Sequence, residues 1–168
     1  PTGSLTIGRD TLAPENFSLR AQPIDPDRFA DVMLVNKDTA RVSVFRGGPG
    51  GVLTQLPSRA IDGAGPHPTL IEGAFVDRSG RRWFGVQSDD DHSISLFTID
   101  RDGLVDARPP IPLPEAYADA SLRAHLLTDL DADPLVDIVF TDIDSARAVI
   151  LEETSDGSFE LRQEIATD

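Results

Sequence analysis

The chain has 168 residues, 39% of them hydrophobic, and its 29 acidic residues outnumber its 15 basic ones, giving a formal charge of −14 at neutral pH. That length supports one ordinary domain with its own core, while the acidity argues against nucleic acid, whose phosphates are bound by Lys and Arg. There is no cysteine, hence no disulfide and no thiolate metal site, and no apolar run approaches the ~20 residues of a membrane span.

The sequence opens on PTGS, with neither an initiator Met nor a signal-like apolar stretch, and is expected to be a processed product or an excised piece of something longer. Residues 2–7, TGSLTI, read as a strand led by Gly3. A first β-rich unit runs over about 17–57, where Asp25, Asp27 and Asp31 lead into an alternating apolar stretch. Its RGGPGGV (46–52) is read as a hairpin turn, because the Lys-Ser/Thr and helix of a phosphate cradle are missing. The connector IDGAGPHP (61–68) leads to a second unit at about 68–108. There SDDDHS (88–93) reads as a solvated turn, Trp83 is expected to pack on a neighbouring unit, and Arg81 and Arg82 are expected at a solvated edge. After the Pro-rich ARPPIPLPEAYADA (107–120), a third unit occupies 121–165, with strands expected at 121–128, 135–141, 146–152 and 158–165. His67, His92 and His125 share no spacing that suggests a cluster, and no G-x-S-x-G or H-E-x-x-H motif occurs.

The three units are copies of one another. DPDRFADVMLVNKDTARVSVF (25–45) aligns without a gap on DADPLVDIVFTDIDSARAVIL (131–151), an offset of 106, and DRSGRRWFGVQSDDDHSISLF (77–97) lies between them at spacings of 52 and 54. Apolar columns coincide: Val32, Phe84 and Ile138; Leu34, Val86 and Phe140; Val44, Leu96 and Ile150. Gly51, Gly103 and Gly157 share a column suited to a turn with positive φ. Four short strands in a repeat of about 50 residues are the content of a β-propeller blade. The expected fold is all-β: residues 1–168 as one domain of three four-stranded antiparallel blades, with 2–7 as the last strand of a preceding blade. The competing reading is a sandwich or an irregular stack of hairpins.

In DLDADPLVD (129–137), four aspartates crowd one loop. Either a cation holds them or the loop is a wet, metal-free turn. Ca²⁺ takes six to eight oxygens. Carboxylates of Asp129, Asp131, Asp133 and Asp137 at loop positions 1, 3, 5 and 9, with the Leu135 carbonyl at 7, offer such a set, and no nitrogen or sulfur ligand lies nearby to favour zinc or copper. Position 6 is Pro134, which cannot adopt the left-handed conformation that Gly takes in such loops. In the first unit Pro23 replaces the first acid and Arg28 stands at position 6, leaving Asp25, Asp27 and Asp31 as a weaker candidate; in the second only Asp77 survives, with Ser79 and Trp83 in ligand positions. Crowding of like charges is expected to raise the pKa of at least one acid in the third loop.

The acidic loop followed by an apolar strand resembles the D-x-[DN]-x-D-G-x-x-D loop of FG-GAP/VCBS repeats, the blades of integrin-α-like propellers. The resemblance implies calcium in the third loop and a propeller fold. It says little of biological role, since such propellers serve adhesion, carbohydrate binding or scaffolding. The expected function is therefore a non-enzymatic, extracellular, cell-surface or periplasmic module that binds protein or carbohydrate. The alternative is an enzyme or enzyme fragment associated with polysaccharide lysis or hydrolysis, for which no catalytic motif speaks. Because closed propellers have four to eight blades, the expected partner is more of the same polypeptide or another copy of the chain.

Overall fold

The computed structural model describes residues 17–25, 27–88, 90–100, 102–103, 105–117, 122–133 and 135–166. The expected strand at 2–7 lies outside them, as does Pro134. Strand dominates; among the described residues the only helical turns are single 3₁₀ turns at Pro49–Gly51 and Glu115–Tyr117.

The strands form three separate sheets. The first takes β1 (Phe17–Gln22), β2 (Asp31–Asn36), β3 (Arg41–Gly47) and β4 (Leu53–Gln55) in that order, with β5 (Arg59–Ala60) against β3. In the second the order is β6 (Pro68–Leu70), β9 (Arg82–Ser88), β10 (Ser93–Ile99), β11 (Val105–Ala107), with β8 (Phe75–Val76) on β9 and β12 (Ile111–Pro112) on β10. The third runs β13 (Leu122–Thr128), β14 (Asp137–Asp142), β15 (Arg147–Glu153), β16 (Phe159–Ala166). Within each, sequence neighbours pair antiparallel. Only the short β7 (Glu72–Gly73) crosses over, running parallel to β13. A short strand piece at 111–112 comes from a segment that composition marks as a connector, and another at 59–60 lies just ahead of one; a β-bridge needs only a local backbone match, which composition does not reveal.

Gly73 makes the β7 crossing feasible. Its φ is +86°, and a Cβ there would stand 2.6 Å from the Leu127 carbonyl oxygen. The shared glycine column behaves as its spacing predicts, with φ of 75°, 78° and 83° at Gly51, Gly103 and Gly157.

Alternation along the strands decides how the sheets stack. Met33, Val35, Val42 and Val44 of the first sheet are buried in one core with Phe84, Val86 and Phe97 of the second. The opposite parity of the second sheet, Trp83, Ile94 and Leu96, is buried in another core with Ile138, Phe140, Val149 and Leu151 of the third. Side chains of alternate residues point to opposite faces, so the repeat columns sort themselves. The columns 33–85–139 and 44–96–150 point toward the following sheet, and the columns 32–84–138 and 45–97–151 toward the preceding one. The middle sheet is covered on both sides: all seven residues of β10 are buried. In β15 burial alternates instead, as one covered face dictates.

Polar contacts pin the stack. Leu70 N–H donates to Ser18 Oγ at 3.0 Å across the first junction, and Ala124 N–H to Gln87 Oε1 at 2.6 Å across the second. Arg82, expected at a solvated edge, reaches the Pro23 carbonyl at 2.6 Å and so ties the second sheet to the first. Trp83 is buried between the second and third sheets, as expected of a side chain packed on a neighbouring unit. Arg108 lies over its ring at 4.1 Å and binds Glu153 of the third sheet at 2.7 Å.

Candidate metal centre

The β13–β14 loop, residues 129–136, is wound by its own aspartates. Asp129 Oδ1 accepts from the N–H groups of Asp131 and Ala132, Asp131 Oδ1 from Asp133, and Asp133 Oδ1 from Leu135 at 2.8 Å. These are Asx turns, in which a short acid bonds the backbone two residues on. Within the loop Ala132, at position 4, takes φ of +66°. Asp137 closes the loop, its Oδ2 accepting the Leu130 N–H at 2.6 Å while the side chain is almost wholly buried.

The winding turns the carboxylates toward one another. Among the described residues, two groups bring an oxygen from each member within 4.8 Å of the others: Asp129, Asp131 and Asp137, and Asp131, Asp133 and Glu152. Oxygens on opposite sides of a calcium ion stand about twice 2.4 Å apart, so either group is compact enough to share one ion. Glu152 is an addition that the loop sequence does not reveal. It stands opposite Asp137 in the β14–β15 ladder, which puts the two side chains on the same face.

A cation from the chain itself already answers this charge. Arg162 Nη1 lies 2.9 Å from Asp131 Oδ2, 3.4 Å from Asp137 Oδ1 and 3.7 Å from Glu152 Oε2. It comes from β16, next to the irregularity in the β15–β16 pairing at Ile150/Leu151. Burial holds the Asp137 carboxyl above its ordinary value, against the lowering effect of the Leu130 N–H and Arg162. Glu152 is also raised, by burial first, then by its acidic neighbours against Arg162. Crowding thus contributes as expected, but desolvation is the larger cause. Burial would lower Arg162, yet Asp131, Asp137 and Glu152 outweigh it and hold its pKa up.

The first loop is built alike and ends differently. Ile24 N–H donates to Asp31 Oδ2, Asp27 N–H to Asp25 Oδ1 and Phe29 N–H to Asp27 Oδ1, each the repeat equivalent of a bond in the third loop. Yet Asp25, Asp27 and Asp31 form no converging group among the described residues. Asp31 is spent on the backbone, its Oδ1 taking the Gly47 N–H, and Arg46 stands 3.5 Å from Asp25 where the third unit has Glu152. In the second loop the Trp83 indole N–H donates to Asp77 Oδ2 at 2.9 Å; Ser79 and Trp83 together bring Asp77 down to about 2. Asp at position 9 is therefore first a loop staple, and among the described residues only the third unit brings further carboxylates together beside it.

The loops border clefts between sheets. One of about 550 Å³ is lined by Asp77, Arg78, Ser79, Asp133, Leu135 and Ser155, and Arg78 reaches the Asp133 carbonyl at 3.5 Å. The other histidine and acid candidates remain surface features: His67 pairs with Asp90 at 2.8 Å, and His125 with Thr141.

No protein family's sequence profile matches the chain, and no curated protein matches it. Among the solved structures that share its fold are the following two. A protein from Lactobacillus plantarum is 15% identical with a TM-score of 0.56, over 89% of this chain and 42% of that one. The periplasmic gluconolactonase of Pseudomonas aeruginosa is 16% identical with a TM-score of 0.52, over 82% of this chain and 37% of that one. Both are propeller-like, and the chain is accordingly an all-β, propeller-like protein of antiparallel sheets. It matches about two-fifths of the length of each of these structures.

Proposed function

We propose that the chain is a non-enzymatic binding or scaffold module built of three propeller blades of the FG-GAP/VCBS kind. Its third loop takes Ca²⁺ through Asp129, Asp131, Asp133, Asp137 and the Leu135 carbonyl, with Glu152 as a further ligand. One observation carries the metal reading: two sets of three carboxylates that share Asp131 each bring an oxygen apiece within 4.8 Å of the others. The donors are all oxygen, which suits a hard cation. The ion's role is structural. It would replace the Arg162 guanidinium as countercharge, fix the 129–137 loop and set the rim of the cleft lined by Asp133 and Leu135. That rim is where a protein or carbohydrate ligand would meet the module, in an extracellular, cell-surface or periplasmic setting.

Calorimetric titration tests the metal reading. Uptake of one Ca²⁺ at micromolar to millimolar concentration, abolished in Asp131→Asn, supports it, and no uptake at millimolar Ca²⁺ ends it. A glycan array with and without chelator tests the ligand class. Screening hydrolysis and elimination on polysaccharides and sugar lactones sets the module against an enzyme; turnover on any of them would replace the binding reading.

A further inference from the structure

We infer that the cleft between the first and second sheets is a binding site for a free amino acid with an apolar side chain, held by both of its charges. The inference goes beyond the calcium reading and does not depend on it, because the cleft lies at a different junction from the third loop.

The cleft has a volume of about 520 Å³, within the range of small-molecule sites. Its second-sheet wall is one row of side chains. Val76 pairs with Arg82, and Ile99 follows the Trp83–Thr98 pair, so the three stand abreast on β8, β9 and β10. By alternation Arg82 and Ile99 share the face of Phe84 and Phe97, which meets the first sheet. Ile24 and Asp25, just past the end of β1, form the opposite wall. β1 runs from Phe17 toward this cleft, so the chain ahead of Phe17 joins the sheet at its other end.

The repeat explains why the junction is open here. The counterparts of Arg82 and Ile99 in the third unit are Val136 and Glu153. At that junction Trp83 is buried in one core with Val136, and Arg108 covers its ring while binding Glu153. At the first junction the place of Trp83 belongs to Asp31, whose carboxylate is turned onto the Ile24 and Gly47 N–H groups, and that of Arg108 belongs to Leu56. The first junction thus has no large ring of its own at this level, and Val76 is left half exposed beside the gap. An apolar side chain from a ligand would cover Val76 and, if aromatic, lie against Arg82 as Trp83 lies against Arg108.

Charge sets the ligand's head group. Arg81 and Arg82 stand in the lining together with Asp25 and Asp100. Arg82 donates from Nη1 to the Pro23 carbonyl and keeps Nε and Nη2, the edge of a guanidinium that matches a carboxylate. Asp25 accepts the Asp27 N–H with Oδ1, and its Oδ2 has only Arg46, at 3.5 Å. A lining with both signs suits a ligand that carries both, an ammonium and a carboxylate on neighbouring atoms. A lone anion would face Asp25 and Asp100, and a lone cation would face Arg81 and Arg82.

Calorimetric titration of the 168-residue chain with L-tryptophan and L-phenylalanine decides the matter, in chelator so that the outcome is separate from calcium binding. Saturable binding of one molecule is expected, with Kd between about 10 μM and about 1 mM. N-acetyl-L-tryptophan and L-tryptophan amide keep the ring and lose one charge each, and so stand in for the C-terminus and N-terminus of a peptide. Each should bind at least about tenfold more weakly, for the loss of one charge-assisted contact. Val76→Trp fills the cleft from an exposed position and should abolish binding while circular dichroism stays unchanged. Arg82→Met should weaken L-tryptophan and leave the amide, which has no carboxylate to lose, unaffected. No saturation by either amino acid at about 10 mM overturns the proposal. An acetyl or amide form that binds as tightly as the free amino acid overturns it too, since the cleft would then take an apolar body or a peptide terminus. Binding that persists in Val76→Trp would lie elsewhere on the molecule and overturn it equally.

Discussion

Arg162 Nη1 sits 2.9 Å from Asp131 Oδ2, and Asp131 is the one carboxylate common to both converging groups. The guanidinium therefore occupies the place in the charge distribution that a bound cation would take. Arg162→Gln should lower the melting temperature of the metal-free protein at pH 7. The loss should be small, because the arginine is about a third exposed and solvent screens its pairs. Calcium should restore more stability to the variant than to the wild type, since no arginine then has to leave. Equal calcium shifts in the two proteins would separate Arg162 from the metal site.

The pH dependence follows from Asp137 and Glu152. An acid whose folded-state pKa is raised holds its proton more tightly when folded, so its contribution to stability falls as pH climbs from the ordinary carboxylate value through the raised one. In chelator, Asp137→Asn should remove that loss while keeping an oxygen to accept the Leu130 N–H. The variant's melting temperature relative to wild type should rise between about pH 4 and pH 7. A difference that stays flat across that range would show that Asp137 does not titrate in the window.

Asp77 works in the opposite sense. Its pKa of about 2 means that its bonds to Ser79 and Trp83 stabilise the fold above the ordinary carboxylate value, and that this is lost as pH falls toward 2. Trp83→Phe deletes the indole donor and leaves a smaller aromatic ring in its place. The expected cost is about 1 kcal/mol at neutral pH, shrinking in acid where the wild type loses the same bond. A cost that is the same at pH 2.5 and pH 7 would assign it to packing alone.

Three turns share one strained position. Ala40, His92 and Ala146 occupy a single repeat column and take φ of 48°, 49° and 52°. A left-handed non-glycine residue costs roughly 1–2 kcal/mol, partly offset by the extra freedom that Gly brings to the unfolded chain. Ala40→Gly and Ala146→Gly should each stabilise by about 0.5 kcal/mol and add together, being in separate sheets. Denaturant melts that show destabilisation by either would refute the strain.

Much of the architecture could be read from the columns. Phe84 and Ile138 recur because each of these sheets needs an apolar residue on the face that meets the sheet before it, and period-two alternation makes that visible without coordinates. The four aspartates of the third loop were equally plain, because Asx turns bind residues two apart. Glu152 and Arg162 were not. Their place depends on which strands pair and in what register: Glu152 opposite Asp137, and Arg162 beside an irregular step in β16. A hint was present in the column shared by Arg46 and Glu152, where the charge reverses between units, but only pairing shows that both face an acidic loop. The first loop's difference from the third was hidden for a related reason: the Gly47 N–H that engages Asp31 comes from another strand.

The burial of β10 on both faces also shapes how the chain opens. Repeat proteins behave roughly as a line of neighbours, each stabilised by its contacts on either side. In such a line the terminal members fray first, while the central one opens only when a flank has gone. Amide protons of β9 and β10 should be the slowest to exchange in the isolated chain. Those of β16, whose side chains are exposed at every position but Phe159, should be among the fastest. The kinetic weak points of the molecule are thus its two outer sheets.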